Sequence, residues 1–399
     1  MKVLLRPEWI IDGTGAPPLT GHAVVVKDRI IDGVVPVSET EELRNDQAID
    51  FPNVTLIPGL INNHVHLVLP GDNSPFEPVQ LESDIALALR AVHNAKVSLC
   101  SGVTTVRDCG GRGTTILDVR NAQANGMIRG ARVISCGWPV TMTGGHVRYF
   151  GGEADGEVAL RQMVRRLVNS GADFVKVMAS GGGTPGSYSE YPSFSIAELK
   201  AIVDEAHSLG RQVSAHCTAA AAIVNALEAG VDLIEHAMFF GPEGVSQADP
   251  QIVEKLAQIE TPVTATMQVF RDMAEQALEG PEKLHWRRLL EADREAMAQL
   301  YEFGGRILAG SDAGWRATAF DTFWRELDEL VGIGMSPVKA IHSATGAVAE
   351  ALGHDDQYGT IQEGKMADLV AVGGNLAQDI KCLTDVEAVF QAGIRIYFN

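Results

Sequence analysis

No stretch of this chain approaches the roughly 18 consecutive apolar residues that would cross a bilayer as a helix. The start is equally short of apolar length: Val3, Leu4 and Leu5 run straight into Arg6 and Pro7, which leaves no core for a secretory leader. Cysteine is scarce. Cys100, Cys109, Cys136, Cys217 and Cys382 are odd in number and include no C-x-x-C pair, so they read as reduced, mostly buried thiols of a cytoplasmic protein, not as a disulfide scaffold. Basic residues are in deficit as well, 32 Lys+Arg against 51 Asp+Glu, for a formal net charge of -19. Nucleic acid and anionic membranes both select basic surface. Neither is expected as a partner, and a small-molecule substrate is.

Hydrophobic residues make up 46% of the 399, enough for one large core and a smaller one. Residues 1 to about 57 alternate short β-like runs with turns: Val3-Leu4-Leu5, Trp9-Ile10-Ile11, Ala23-Val24-Val25-Val26 and Ile30-Ile31. From Pro58 onward, apolar strands of four to eight residues alternate with long helical segments, the texture of parallel βα units. Eight strands can be counted, at 58–66, 103–108, 132–135, 174–179, 212–216, 232–236, 262–266 and 306–312. One of the helices, 197–207, repeats apolar residues at helical spacing after Ser195, a residue suited to the N-cap. The count predicts the α/β class and a (β/α)8 TIM barrel over 58–359, with a doubly wound open sheet as the competitor. Hairpin texture returns at 359–372 and 388–390. The two chain ends, 1–57 plus 360–399, are therefore expected to form a small β-sandwich domain together.

The polar residues of the strand ends form one set. His64 and His66 are spaced i, i+2, which on a strand puts both rings on one face, roughly 6.5–7 Å apart along the chain. The fourth strand offers Lys176, the fifth His216, the sixth His236 and the eighth Asp312. In an eight-stranded barrel the C-terminal strand ends encircle one cavity, so these residues can meet. Four histidines and a carboxylate suit Zn²⁺ or a similar first-row metal. Asp312, in Gly-Ser-Asp-Ala-Gly, is alternatively a helix N-cap. Lys176, within Phe-Val-Lys-Val-Met-Ala, points into the barrel, where an ammonium beside metal ions is penalised by desolvation and by like charge. A neutral amine there can take up CO₂ and become a carbamate able to bridge two divalent metal ions; the alternative is a lysine paired with a barrel carboxylate.

In that order and on those strands, His64-Val65-His66, Lys176, His216, His236 and Asp312 resemble the amidohydrolase superfamily in its two-metal, carboxylated-lysine form. The resemblance covers nearly the whole chain, including Trp9-Ile10-Ile11-Asp12-Gly13, Pro58-Gly59-Leu60-Ile61 and 364–370. Within the superfamily, Lys176-Val177-Met178-Ala179-Ser180-Gly181-Gly182 and Thr143-Gly144-Gly145-His146 resemble the subgroup near imidazolonepropionase. That subgroup includes Xaa-Pro dipeptidases, arginine carboxypeptidases and phenylurea or ochratoxin hydrolases. The resemblance implies that His64, His66 and Asp312 bind one ion, His216 and His236 the other, and carboxylated Lys176 both. Oligomers are common among the resembling enzymes, and no feature here counts subunits.

The implied reaction is hydrolysis of an amide-type C–N bond, with Asp312 carrying the proton from the attacking water to the leaving nitrogen. His146 would polarise the carbonyl or hold the substrate. Arg148, Tyr149, Tyr188 and Arg316 are the candidate substrate contacts on the loops after the strands. An arginine fork suits the α-carboxylate of a dipeptide or N-acyl amino acid, whereas the aromatic crowding suits an aryl amide, urea or carbamate equally well. Two other readings compete: a one-metal deaminase of a heterocycle, against which Lys176 argues, and a non-catalytic scaffold, against which the complete ligand set argues. Cys217 should face away from the cavity that His216 enters, and reads as core.

Overall fold

Both chain ends enter one sheet. The computed structural model describes residues 2–43, 47–73 and 77–396. The chain falls into two compact units, residues 1–62, 96–106 and 321–399 in one, and residues 63–95 and 107–320 in the other. In the first unit the strands pair in the order Ile394–Ile396, Val386–Gln391, Leu369–Gly373, Gln47–Pro58, Lys2–Ile10, His22–Lys27, Ile30–Pro36, and Leu19–Thr20 adds to Lys2–Ile10. The small β-sandwich expected of the chain ends is thus observed as a single eight-stranded sheet. Apolar residues alternate between its faces. Leu5, Val24, Val26 and Leu56 join one core cluster, and Leu4, Ala23 and Val25 join another, as the period of two dictates for a sheet covered on both sides.

Two features of this sheet differ from the expected pattern. The runs at Val3 and Trp9 are one strand, Lys2–Ile10, because the break that Pro7 suggests is absorbed by a register shift between Pro7 and Trp9. Proline lacks the N–H that a ladder needs, and a bulge removes the demand. Gln47–Pro58 had no apolar run to announce its first half, yet it lies between Lys2–Ile10 and Leu369–Gly373, parallel to the first and antiparallel to the second.

Eight further strands follow in chain order: β1 (Leu60–Val65), β2 (Val103–Asp108), β3 (Arg132–Ser135), β4 (Val175–Met178), β5 (Val213–Ala219), β6 (Leu233–Phe240), β7 (Val263–Ala265) and β8 (Ile307–Ala309). A helix follows each of them. β1, β2 and β3 are hydrogen-bonded in that order. β4 to β8 form a second sheet, parallel throughout and in sequence order. Single parallel bridges join Val140 to Val177 and Val65 to Ala313. At the second of these, Asp312 N–H donates to the His64 carbonyl at 2.9 Å and His66 N–H to the Ala313 carbonyl at 2.8 Å. These backbone bonds set the segment after β8 directly against the two histidines of β1.

The helix after β4, Ile196–Ser208, starts where its sequence says it should. Ser195 is the N-cap, its side chain accepts from the Glu198 N–H, and Glu198 returns a bond to the Ser195 N–H. This capping box satisfies two backbone donors that the first turn would otherwise leave open. Ser195→Ala is expected to lower the unfolding free energy by about 1 kcal/mol, read as a shifted urea midpoint at unchanged slope. An unmoved midpoint would show that the cap contributes nothing.

Candidate active site

β1 delivers His64 at its penultimate position and His66 just beyond its end, and the two ring centroids lie 5.4 Å apart. β5 supplies His216, β6 supplies His236, and Asp312 follows β8. The His64 and His236 rings are 4.7 Å apart and those of His216 and His236 are 4.6 Å apart. His64 Nε2 and His66 Nε2 lie 3.5 and 3.4 Å from Asp312 Oδ1. His64, His236 and Asp312 each present a ligand atom within 4.8 Å of the others. Lys176, from the middle of β4, lines the same cavity of about 340 Å³.

The backbone is bent to achieve this. His236 has φ 71° and Asp312 φ 55°, both in the left-handed region that non-glycine residues enter at a cost. Asp312 is not a helix N-cap, since the next helix begins at Trp324. Gly310 leaves room for β1: a Cβ there would come within 2.9 Å of His64 Cβ and 2.5 Å of Thr264 Cγ2.

Hydrogen bonds on the far side of each ring decide which nitrogen faces the cavity. His66 Nδ1–H donates to the Gly110 carbonyl at 2.8 Å, so its Nε2 carries the lone pair. His64 Nδ1–H donates to Glu235 Oε2 at 2.8 Å, with the same consequence. His216 Nε2–H donates to the Gly181 carbonyl at 3.0 Å, which leaves its Nδ1 as the lone-pair atom. His236 Nδ1 meets Thr266 Oγ1 at 2.8 Å. His146, whose ring centroid lies 4.7 Å from that of His216, meets Thr184 Oγ1 at 2.9 Å through Nδ1.

Burial keeps all five rings neutral. It lowers the pKa of His66 to about 4 and of His146 to about 3, and it holds His64, His216 and His236 well below the ordinary imidazole value. Burial raises the Asp312 carboxyl to about 8, with Glu235 adding to the rise and Lys176 opposing it. Lys176 is fully buried, and its Nζ has no hydrogen-bond partner. Asp312 Oδ1 has none either. A paired lysine, the alternative reading of its sequence position, is not what is seen. The neutral rings of His64 and His66, with Nε2 lone pairs facing Asp312, beside a carboxyl oxygen and an amine without hydrogen-bond partners, form a donor set that fits divalent cations.

Two charged residues of the network escape a reading of the sequence. Strict alternation sends Glu235 to the opposite side from His236, but the left-handed φ at His236 breaks the alternation and both side chains turn inward. Burial pushes the Glu235 carboxyl up, yet Lys176, Arg107 and His64 outweigh it and hold the group well below the usual range. Arg107, in a β2 strand buried along its whole length, donates to Glu235 Oε1 at 2.7 Å. The signal available in the sequence was a charge inside strands that must be covered on both faces, at Val-Arg-Asp and Ile-Glu-His.

The expected substrate contacts divide. His146 and Arg316 line the cavity, and Arg316, at φ 52°, holds its guanidinium 5.9 Å from the Trp286 ring. Arg148, Tyr149 and Tyr188 are not among the lining residues. Arg148 donates to the Pro185 carbonyl at 3.1 Å, the Tyr149 ring packs edge-on against Phe150 at 4.9 Å, and Tyr188 is exposed beside Tyr191. Trp286, Trp315, Phe270 and Phe240 supply the aromatic wall. Cys217 is buried in the core, as expected.

The profile of the amidohydrolase family matches residues 55–395. The chain belongs to the amidohydrolase family. This amidohydrolase is 30% identical over 417 aligned residues to ochratoxinase of Aspergillus niger, with 95% of this chain and 83% of that protein covered. It is 22% identical to imidazolonepropionase of Chromobacterium violaceum, over 89% of this chain and 86% of that one. A solved structure of a Xaa-Pro dipeptidase with methionine in its active site matches it with a TM-score of 0.88 at 27% identity, covering 99% of this chain and 100% of that one. The family and the subgroup suggested by the motifs are borne out. The chain is accordingly a hydrolase acting on C–N bonds, with an α/β fold of the TIM-barrel type, in a family that generally binds metal ions. Among the described residues no helix is long and apolar enough to cross a membrane.

The buried rings make a pH prediction for the metal-stripped protein. Below 6.5 the unfolded chain takes up protons that the five folded rings refuse, so each ring removes up to about 1.4 kcal/mol of stability per pH unit. Asp312 and Asp108, raised to about 8 and about 7, work the other way, because their folded forms keep protons that the unfolded chain releases. Five against two leaves a net loss. The urea midpoint is expected to fall between pH 7 and pH 5; a flat or rising midpoint would contradict the neutral-ring assignment.

Proposed function

We propose that this amidohydrolase cleaves an amide-type C–N bond at a centre of two divalent cations, Zn²⁺ in the first instance, joined by a carbamate on Lys176. The observation that carries the reading is the Lys176 amine, fully buried and without an acceptor among neutral imidazoles. As a neutral amine it adds to CO₂, forming an N–C bond and releasing one proton, and the position becomes anionic. His64, His66 and Asp312 would hold one cation, His216 and His236 the other, and the carbamate both. Bound there, the cations supply a positive field that polarises a carbonyl and makes a water acidic.

The chain's own groups then have distinct tasks. Asp312 accepts the proton of the attacking water on its carboxylate and delivers it to the departing nitrogen. Thr184 Oγ1 accepts from the Val147 N–H at 3.0 Å and can turn its own proton to His146 Nδ1, which leaves His146 Nε2–H to donate to the substrate carbonyl. Gly182 keeps that ring in place, because a Cβ there would stand 2.7 Å from it. Arg316 suits a carboxylate on the substrate, and Trp286, Trp315 and Phe270 suit an apolar or aryl group. The substrate classes that follow are a dipeptide or N-acyl amino acid and an aryl amide, urea or carbamate. The bridges at Val140–Val177 and Val65–Ala313 support reading the eight strands as a closed (β/α)8 barrel.

Elemental analysis of protein produced with ample Zn²⁺ is expected to return close to two ions per chain, and a value near zero would remove the two-cation centre. Asp312→Asn, which keeps an oxygen in place but cannot carry the proton, is expected to lower kcat by about 10²–10⁴-fold. The assay is a panel of N-acyl amino acids, Xaa-Pro and Xaa-Arg dipeptides, aryl ureas and carbamates. Near-normal turnover by the variant would reassign the proton carrier.

A further inference from the structure

Behind the cavity lies a chain of buried polar groups that the reaction does not use. Glu235 is completely buried and takes three donors: His64 Nδ1–H at 2.8 Å, Arg107 Nη1–H at 2.7 Å and the Ser214 hydroxyl. Arg107 is buried too. Its Nη1 also reaches the Asn63 carbonyl at 3.3 Å, and its guanidinium carbon lies 3.8 Å from the centroid of the Phe174 ring. Its Nε and Nη2 have no acceptors. Neither Arg107 nor Glu235 lines the cavity.

Stability is a poor explanation for such a pair. Two buried charges carry a desolvation penalty that their attraction often fails to recover, and apolar residues of similar volume commonly serve as well. Here the arginine leaves two donors unsatisfied besides. What apolar residues could not do is accept from His64. A carboxylate has no proton to give, so the 2.8 Å contact requires the hydrogen to be on Nδ1 and turns the Nε2 lone pair toward Asp312, 3.5 Å away. His66 obtains the same arrangement from a backbone carbonyl, which no substitution can remove. His64 depends on a side chain.

We propose that Glu235 is the positioning residue of the site: it fixes His64 in the Nδ1–H form and aims its Nε2 at the ligand cluster, with Arg107 anchoring the carboxylate. His64 is a ligand only on the reading of the site given above, but its tautomer is a property of the protein alone, and the two can be tested apart.

The experiment compares wild type, Glu235→Gln and the double variant Arg107→Met/Glu235→Leu, which removes both charges together. In the metal-free protein, ¹⁵N NMR of the histidine side chains, assigned by the loss of signals in His64→Gln, reads the tautomer directly. Wild-type His64 is expected to be wholly Nδ1–H. Glu235→Gln, whose amide oxygen can still accept, should retain most of that preference, and the double variant should lose it. Chelator competition with Zn²⁺ alone should show weaker binding in both variants, by about 10–100-fold in the double variant. An unchanged tautomer and unchanged Zn²⁺ affinity in both would overturn the proposal, as would a lower unfolding midpoint with the tautomer intact, which would mark a purely structural pair. Should the double variant not fold, the Zn²⁺ affinity of Glu235→Gln decides: weaker binding supports the proposal and unchanged binding overturns it. If wild type binds no Zn²⁺, the cation centre fails while the tautomer still decides the role of Glu235.

Discussion

A lysine amine enclosed with no acceptor is the constraint from which the rest of this site follows. Burial of Lys176 Nζ without a partner would ordinarily be selected against, because nothing replaces the water it gives up. The surrounding groups do not relieve it in the usual way. The rings nearby are held neutral by burial, and the buried carboxylate that is fully engaged, Glu235, is committed to His64, Arg107 and Ser214. The second carboxylate, Asp312, keeps Oδ1 free of any hydrogen bond. An amine and a carboxyl oxygen without hydrogen-bond partners thus belong to residues that line the same cavity. Two such groups in one cavity are what a hydrogen-bonded core would avoid.

The geometry that permits this is bought with backbone strain. A regular strand can send only alternate residues inward, so β6 could offer either Glu235 or His236, not both. A left-handed φ at His236 removes the restriction and lets one strand supply both a cavity-lining histidine and the carboxylate bonded to His64. At Asp312 the same kind of departure occurs where the chain leaves β8, held by the bond from its N–H to the His64 carbonyl. Left-handed conformations at non-glycine residues persist where the neighbouring structure over-determines them, and at Asp312 parallel backbone pairing from β1 does so.

The sequence made the strands readable because they are short apolar runs at regular intervals, and β2 and β3 fall at the boundaries their composition suggests. The histidines, Lys176 and Asp312 were legible for a second reason: polar residues closing apolar strands have few structural explanations when several recur in order. Glu235 and Arg107 were not: with His236 taken as inward, period-two reasoning puts Glu235 on the other face, whereas the register sets Glu235 beside His216 and a left-handed φ that no residue type announces turns His236 in as well. Gln47–Pro58 was missed for want of an apolar run in its first half. The loop residues proved hardest. Arg148, Tyr149 and Tyr188 have the right chemistry for substrate binding, but loop conformation, which composition does not encode, turns Arg148 to a backbone carbonyl, Tyr149 against Phe150 and Tyr188 to solvent.

This division between strands and loops also explains how one cluster can serve unlike substrates. The polar cluster is carried by strand ends whose positions follow from backbone pairing, and pairing tolerates little change. The opposite wall is built from the helices Gln268–Gln276 and Pro281–Glu302 and from the segments around Gly183 and Trp315, where side chains can change without disturbing a ladder. Relatives named for ochratoxin, for imidazolonepropionate and for Xaa-Pro dipeptides share the family of this chain. In this chain the variable wall combines Arg316 with Trp286 and Phe270, a cation beside aromatic surface. On the function proposed above, a substrate matching that wall would carry an anion beside an apolar ring, and its selection would rest on these side chains while the chemistry rests on the strands.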